Sequence, residues 1–322
     1  MSTPHDALFK SMYGDPEHAR GALQAVLPPK LCTEIDWPSL ERCAGSFVDP
    51  GAMDQHTDLL FSAGWRGGSK ALLYLLFEHQ SSVDDQMAFR MLRYMVRIWE
   101  RWRAEHGEHA RLPCIVPIVL YHGEGPWSAA RSFDALHDVP DDVRSQASPH
   151  LVRFDYIVDD LSSIPDEELR ARAMTALAKL VALCFKYSRR HTTFWAALRG
   201  WMDLAKEVIS TPHGIEALAK VMRYVLEVSD RITEAQVHGL LETAVGEQAK
   251  DAIMTTAERM RWRAAETAKR ETLLRQLRLR FGGDVTPQAE QRVTNASMEQ
   301  LDRWLDRVIP AASLRELLAV IV

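Results

Sequence analysis

Asp58, Glu78, His79 and Gln80 are the residues of this sequence whose types and spacing could do chemistry. The last three close "ALLYLLFEHQ" (71 to 80), a run that is apolar from Ala71 to Phe77. Burying a carboxylate without a partner is costly, so a glutamate at the mouth of such a strand is solvated, paired, or holding a cation. Asp58 opens the apolar run "DLLFSAGW", and "RGGSK" (66 to 70) separates the two runs with adjacent glycines suited to the positive φ angles of a hairpin turn. A five-residue loop from Arg66 to Lys70, centred near Gly68, gives opposed residues an index sum of 136 and sets Asp58 opposite Glu78. A loop one residue shorter would oppose Asp58 to Phe77, and such a slip turns a side chain to the other face. Gln80 shares the face of Glu78 by alternation, while His79 points the other way.

Two carboxylates with open positions and oxygen donors nearby suit a hard cation such as Mg²⁺, with Mn²⁺ as a substitute. A metal held there can activate water and stabilise charge building on a phosphoryl group. The plainer alternative is that Asp58 starts a strand, Glu78 ends one, and both are simply wet. Spacing alone leaves both readings open.

The elements that would position these residues belong to an α/β fold. "HDALFKSMY" and "DPEHARGALQAVL" read as two short helices, the second with Asp15 as N-cap, Pro16 at the first helical position, and Leu23, Val26 and Leu27 facing inward. Strands follow at 57 to 65 and 71 to 80, then a helix near 84 to 103, then strands at 115 to 123 and 151 to 160. That mixed α/β core spans 1 to 165. From 166 to 250 the apolar spacings of three and four predict an all-helical extension. A basic linker helix occupies 251 to 283, ending at Gly282 and Gly283, and a small helical domain fills 284 to 322.

The helix after Glu78 starts near Ser82, a candidate cap with Asp85 as its reciprocal partner. Met91, Leu92, Met95, Ile98, Trp99 and Trp102 fall on one side, and Arg90, Arg93, Arg97 and Arg101 on the other. Its first arginines could meet the same ligand as the metal, since arginine pairs well with phosphate oxygens; a solvated basic face is the alternative. A second basic zone, Arg259 to Arg280, carries eight Lys or Arg against two Glu, which suits either a resting polyanion or a salt-bridged linker. His122, in the turn "LYHGEGPW", reads as a satisfied polar residue rather than a ligand.

Composition bounds the rest. With 322 residues, 47% hydrophobic and 26% charged, the chain can bury a sizeable core. A net charge of −5 argues against nonspecific coating of nucleic acid, so any such site must be local. Cys32, Cys43, Cys114 and Cys184 form no CxxC pair and read as reduced. "MSTPHDALFK" shows no signal core and no stretch approaches a membrane span, so the expectation is a cytoplasmic protein without membrane association. No GxxxxGK[ST], GxSxG, HExxH or paired Cys/His spacing occurs, which lowers nucleotide hydrolysis, serine esterase and zinc protease chemistry.

"HDALFKSMYGDPEHARGALQAVLP", "FVDPGAMDQHTDLLFSAGW", "LLYLLFEHQSSVDDQMAFRMLRYMVRIWE" and "LPCIVPIVLYHGEGPW" together resemble the Rpn family of recombination-promoting nucleases, also described as YhgA-like transposases. The resemblance covers about residues 5 to 230, and its most specific part is the block around "EHQSS" and "MAFRMLRYM". The stretch from "LLRQLRLRFG" to "ASLRELL" resembles a small helical domain often attached to that family. The resemblance implies a PD-(D/E)xK, restriction-endonuclease-like core, a mixed sheet flanked by helices. It makes Asp58 and Glu78 the metal ligands, places Gln80 in the lysine position, and has His79 offer its backbone carbonyl to the metal. Asp6 becomes an outer acidic contact. A glutamine can orient water or a phosphate oxygen but supplies no positive charge.

The reading that follows is a Mg²⁺-dependent DNA endonuclease with Asp58, Glu78 and Gln80 as catalytic residues, and Arg90, Arg93 and Arg97 as DNA contacts. Self-association, if it occurs, falls to the helical region. The alternative class is a DNA-binding or interaction module that keeps the nuclease fold without catalysis. An RNA nuclease would use the same site.

Overall fold

The computed structural model describes residues 3–43, 58–67, 73–311 and 313–319. They fall into two compact units, Met1–Lys250 and Asp251–Val322. The first begins with α1 (Pro4–Tyr13), α2 (Pro16–Val26) and a short α3 (Pro29–Glu34), each with proline in its first turn. Asp15 caps α2 as its sequence predicts, its Oδ1 accepting from Glu17 N at 2.9 Å. Strands β1 (Ile35–Arg42), β2 (Asp58–Trp65) and β3 (Leu73–Gln80) follow, then α4 (Met87–His106), β4 (Cys114–Tyr121), α5 (Arg144–Ala147) and β5 (Ile157–Asp160).

These strands form one mixed sheet in the order β1-β2-β3-β4-β5, antiparallel from β1 to β3 and parallel from β3 to β5. β1 has no counterpart in the elements expected from sequence. Pro38 interrupts its run, and proline is tolerated in a sheet at an edge, which is where β1 lies. β5 is shorter than expected, only its last four residues pairing with β4. α4 also starts later than the Ser82 cap implies. Residues 81–86 form bends and a turn in which Asp84 Oδ1 accepts from Gln86 N at 2.8 Å, so Asp84, not Ser82, organises the entry to α4.

Both faces of the sheet are covered. On one, Leu60, Val119 and Tyr121 join a buried cluster with Met87, Met91, Met95 and Ile98 of α4, the apolar stripe its spacing predicts. On the other, Phe77 packs edge-on to Phe9 and Tyr13 of α1, their ring centroids 5.1 and 5.6 Å away. The helices α6 (Asp166–Ala171), α7 (Ala176–Tyr187), α8 (Phe194–Gly200), α9 (Met202–Ile209), α10 (Gly214–Val228) and α11 (Glu234–Val245) belong to this same unit. α7 is apolar nearly all round, as a helix buried on several sides must be, and the Tyr13 hydroxyl donates to its Ala178 carbonyl at 3.3 Å.

The second unit takes most of α12 (Glu247–Phe281), then α13 (Pro287–Thr294), α14 (Met298–Arg307) and α15 (Leu314–Ala319). Leu273 and Leu277 of α12 are buried with Val293, Leu301, Trp304 and Leu317. The basic zone is partly spent here on internal bonds. Lys269 pairs with Asp302, Arg270 with Glu266 at 2.7 Å, and Arg278 with Glu290 at 2.7 Å, while Arg280 donates to the Ile309 and Ala311 carbonyls. No helix among the described residues is long and apolar enough to cross a membrane.

At the end of β5, Asp159 is 3% exposed and takes a two-pronged bond from Arg172, at 2.8 and 2.9 Å. Arg172→Met leaves that carboxylate buried and unpaired, so urea denaturation should show a loss of about 3–5 kcal/mol. Adding Asp159→Leu should recover much of the loss, because the uncompensated charge is then gone.

Candidate active site

The hairpin register decides whether two acids meet. β2 and β3 pair with Asp58 opposite Glu78, Leu59 opposite Phe77 and Phe61 opposite Leu75, so the index sum of 136 read from the glycine turn is the observed one. Residues directly opposed in such a ladder share a face of the sheet. The expected turn centre at Gly68 and the side chains of Asp58 and Glu78 lie outside the described residues. Among the described residues, no group of three or more His, Cys, Asp or Glu is arranged to hold a metal ion.

Gln80 ends β3 at 8% exposure, in register with Tyr121 of β4, and its carbonyl accepts from His122 N at 3.1 Å. His79 is buried on the opposite face. Its ring stacks on Phe9 and is turned toward α1 and α7, which leaves only its backbone for the side of Gln80. Asp6 lies with the His79 ring: its Oδ1 is 3.4 Å from His79 Nδ1, and its Oδ2 accepts from Thr3 N at 3.2 Å in the capping box of α1. Both oxygens of the residue expected as an outer acidic contact are therefore engaged within the protein.

The arginines of α4 divide. Arg90 is largely buried and pairs with Asp84 at 3.2 Å, in the segment that leaves β3. Arg93 is exposed and Arg97 half-buried, while Arg101 pairs along the helix with Glu105 at 2.7 Å. Asp160 is spent on structure, accepting from Trp127 N, Ser162 N and the Ser162 and Ser163 hydroxyls.

A cluster of histidines behind Gln80, two of them buried, was not foreseen as a group. His122, fully buried, sets its Nε2 2.8 Å from His79 Nε2, and its Nδ1 lies 3.4 Å from Ser188 Oγ. His5 stands with its ring centroid 4.9 Å from that of His122 and bonds the Tyr224 hydroxyl of α10 at 2.8 Å. The signal was present in the two strand ends, "FEHQ" and "LYHG", but only the parallel register of β3 and β4 puts these histidines side by side. Burial lowers the pKa of His79, against the pull of Asp6, and lowers His122 well below the usual range with help from His79, His5 and Arg189. His5 falls to about 4, chiefly through burial and then through His79 and Arg189. Burial alone would raise Asp6, but hydrogen bonds from His79 and Thr3 outweigh it and hold the carboxyl at about 2.

A mixed sheet that brings an aspartate and a glutamate into register, with a glutamine two residues on, defines an α/β protein with an acidic strand end. The family described as "Putative transposase, YhgA-like" matches residues 3–216, and the chain belongs to that family. It is 30% identical to the Recombination-promoting nuclease RpnD of Escherichia coli O157:H7 over 263 residues, 80% of this chain and 94% of that protein. It is 28% identical to the Recombination-promoting nuclease RpnA of Escherichia coli K12 over 267 residues, 81% of this chain and 84% of the relative. It is also 30% identical over 181 residues, 56% of this chain and 58% of the relative, to the "Inactive recombination-promoting nuclease-like protein RpnE" of the same strain. No solved structure matches the chain.

The histidine cluster makes stability depend on pH. His5 binds its proton near pH 4 when folded and near 6.5 when unfolded, so the unfolded chain binds more protons between those values. Stability should be full above about pH 6.5 and fall as the pH drops toward 4, each unit of depression weighing about 1.4 kcal/mol. Urea denaturation at pH 7.5 and pH 5 checks this; His5→Gln should reduce the difference without abolishing it, because His79 and His122 are depressed as well.

Proposed function

We propose that the chain is a metal-dependent DNA endonuclease that hydrolyses phosphodiester bonds in the service of recombination or DNA mobility. The observation that carries the reading is the pairing of Asp58 with Glu78 at the end of the hairpin, with Gln80 closing the same strand. The sheet supports it: three antiparallel strands, a helix, then a parallel strand beside the third is the order expected of a PD-(D/E)xK core. The names of RpnD and RpnA support a nuclease role.

The donor set fits a hard divalent cation, Mg²⁺ or Mn²⁺, which prefers carboxylate and carbonyl oxygens. Asp58, Glu78 and the His79 carbonyl would hold it, and when bound it supplies acidity to water and neutralises charge on the phosphodiester. Gln80 stands where a lysine would and can orient water or a phosphate oxygen by hydrogen bonds alone. Arg93 and Arg97 on α4 are the proposed contacts to the DNA backbone, with Arg90 bracing the turn through Asp84. DNA is the proposed substrate.

A second reading, a DNA-binding module without catalysis, is favoured by one finding: RpnE, a relative named as inactive, is as similar in sequence as RpnD over its matched region. Supercoiled plasmid incubated with the protein and Mg²⁺ or Mn²⁺ separates the two. Cleavage that drops by about 100-fold or more in both Asp58→Ala and Glu78→Ala is the expected result, the scale of removing a group that stabilises developing charge. Cleavage untouched by both substitutions would remove the site. Salt-sensitive DNA retention without cleavage would establish the second reading instead.

A further inference from the structure

The residues of β3 that the nuclease reading uses are the last of the strand, and strand ends open more easily than strand centres. Besides its ladder to β4, a chain of polar side chains on its far face holds this one. Asp6 of α1 faces His79 Nδ1 at 3.4 Å, His79 Nε2 meets His122 Nε2 at 2.8 Å, and His122 Nδ1 lies 3.4 Å from the Ser188 hydroxyl, just beyond α7. Phe9 stacks on His79 and Phe185 on His122, so both rings are fixed in plane as well as by their nitrogens. The chain ties α1 and the end of α7 to the exits of β3 and β4.

Two neutral imidazoles that meet nitrogen to nitrogen need one proton between them, so the tautomers of His79 and His122 are coupled. The two ends of the chain compete to set them. Asp6 favours a proton on His79 Nδ1, which makes His79 Nε2 an acceptor and puts the proton of His122 on Nε2. At the other end the Ser188 hydroxyl can turn toward His122 Nδ1 or donate to the Phe185 carbonyl, 2.8 Å away. Of these groups only Asp6 carries a full negative charge, and at 3.4 Å from His79 Nδ1 that charge favours the proton on the nearer nitrogen. Asp6 therefore sets the order.

We propose that Asp6 is a positioning residue for the acidic strand end: by fixing the tautomers of His79 and His122 it locks the exit of β3, and with it Glu78, the His79 carbonyl and Gln80. The inference rests on the nuclease reading for its catalytic consequence, and on the geometry alone for the lock. His5, bonded to Tyr224 at 2.8 Å, borders the same cluster, and Arg189 acts on its histidines through its charge.

The test compares the full chain with Asp6→Asn, which keeps the shape and removes the charge, with Asp6→Glu, and with Thr3→Ala, which removes only the helix cap. Nitrogen-15 NMR of labelled histidines, assigned with His79→Gln and His122→Gln, should show the wild-type protons on His79 Nδ1 and His122 Nε2. Asp6→Asn should lose that pattern and raise amide hydrogen exchange at residues 78–80, while Thr3→Ala leaves both unchanged. In plasmid cleavage Asp6→Asn should lower kcat by about 10- to 100-fold, the usual scale for a partner that orients a site from behind, with KM for DNA unchanged and Asp6→Glu restoring most of the rate. The opposite tautomers in the wild type, unaltered exchange in Asp6→Asn, or equal effects from Thr3→Ala would each overturn the proposal. A wild-type protein that does not cleave would overturn the nuclease reading, and the tautomers and exchange would still decide the lock.

Discussion

The placing of β3 between an antiparallel neighbour and a parallel one is the constraint on which the molecule depends. A parallel pair such as β3 and β4 is normally covered on both faces, and here α4 covers one while α1 and α7 reach the other. A polar group at the exit of such a strand must then pair inside the protein or belong to the face proposed to meet a ligand. His79 and His122 take the first course with Asp6 and Ser188, and Asp159 takes it with Arg172. The register of β2 against β3 leaves Asp58 and Glu78 as the candidates for the second.

The same constraint bears on the glutamine. Gln80 is nearly buried between Tyr121 and the start of the 81–86 turn, so an ammonium group in its place would need a partner of its own. A neutral amide is cheaper to bury there. Arg90 already answers Asp84, and Arg93 stands exposed on the same helix.

The C-terminal unit answers the question raised by its charge in a different way. Arg259, Lys269, Arg270, Arg278 and Arg280 bond carboxylates or carbonyls of α12, α13, α14 and the segment beyond, so the net charge of the segment overstates the cation surface it offers.

Sequence by itself determined the α/β class, the capped α2 and the amphipathic α4, because each follows from local rules, proline and aspartate at helix starts and the 3.6-residue stripe; for the hairpin it offered two registers, and the pairing of β2 with β3 decided between them. It missed β1, where Pro38 breaks the pattern and only an edge position makes the strand tolerable, and it placed the start of α4 at Ser82 where Asp84 makes a competing turn. The histidine cluster was beyond it for a physical reason. His5, His79 and His122 are remote in the chain, and each alone looks like a satisfied polar residue. The parallel pairing of β3 with β4, and the docking of α1 and α7 on that face, decided that His79 and His122 meet beside Asp6 with His5 at their edge.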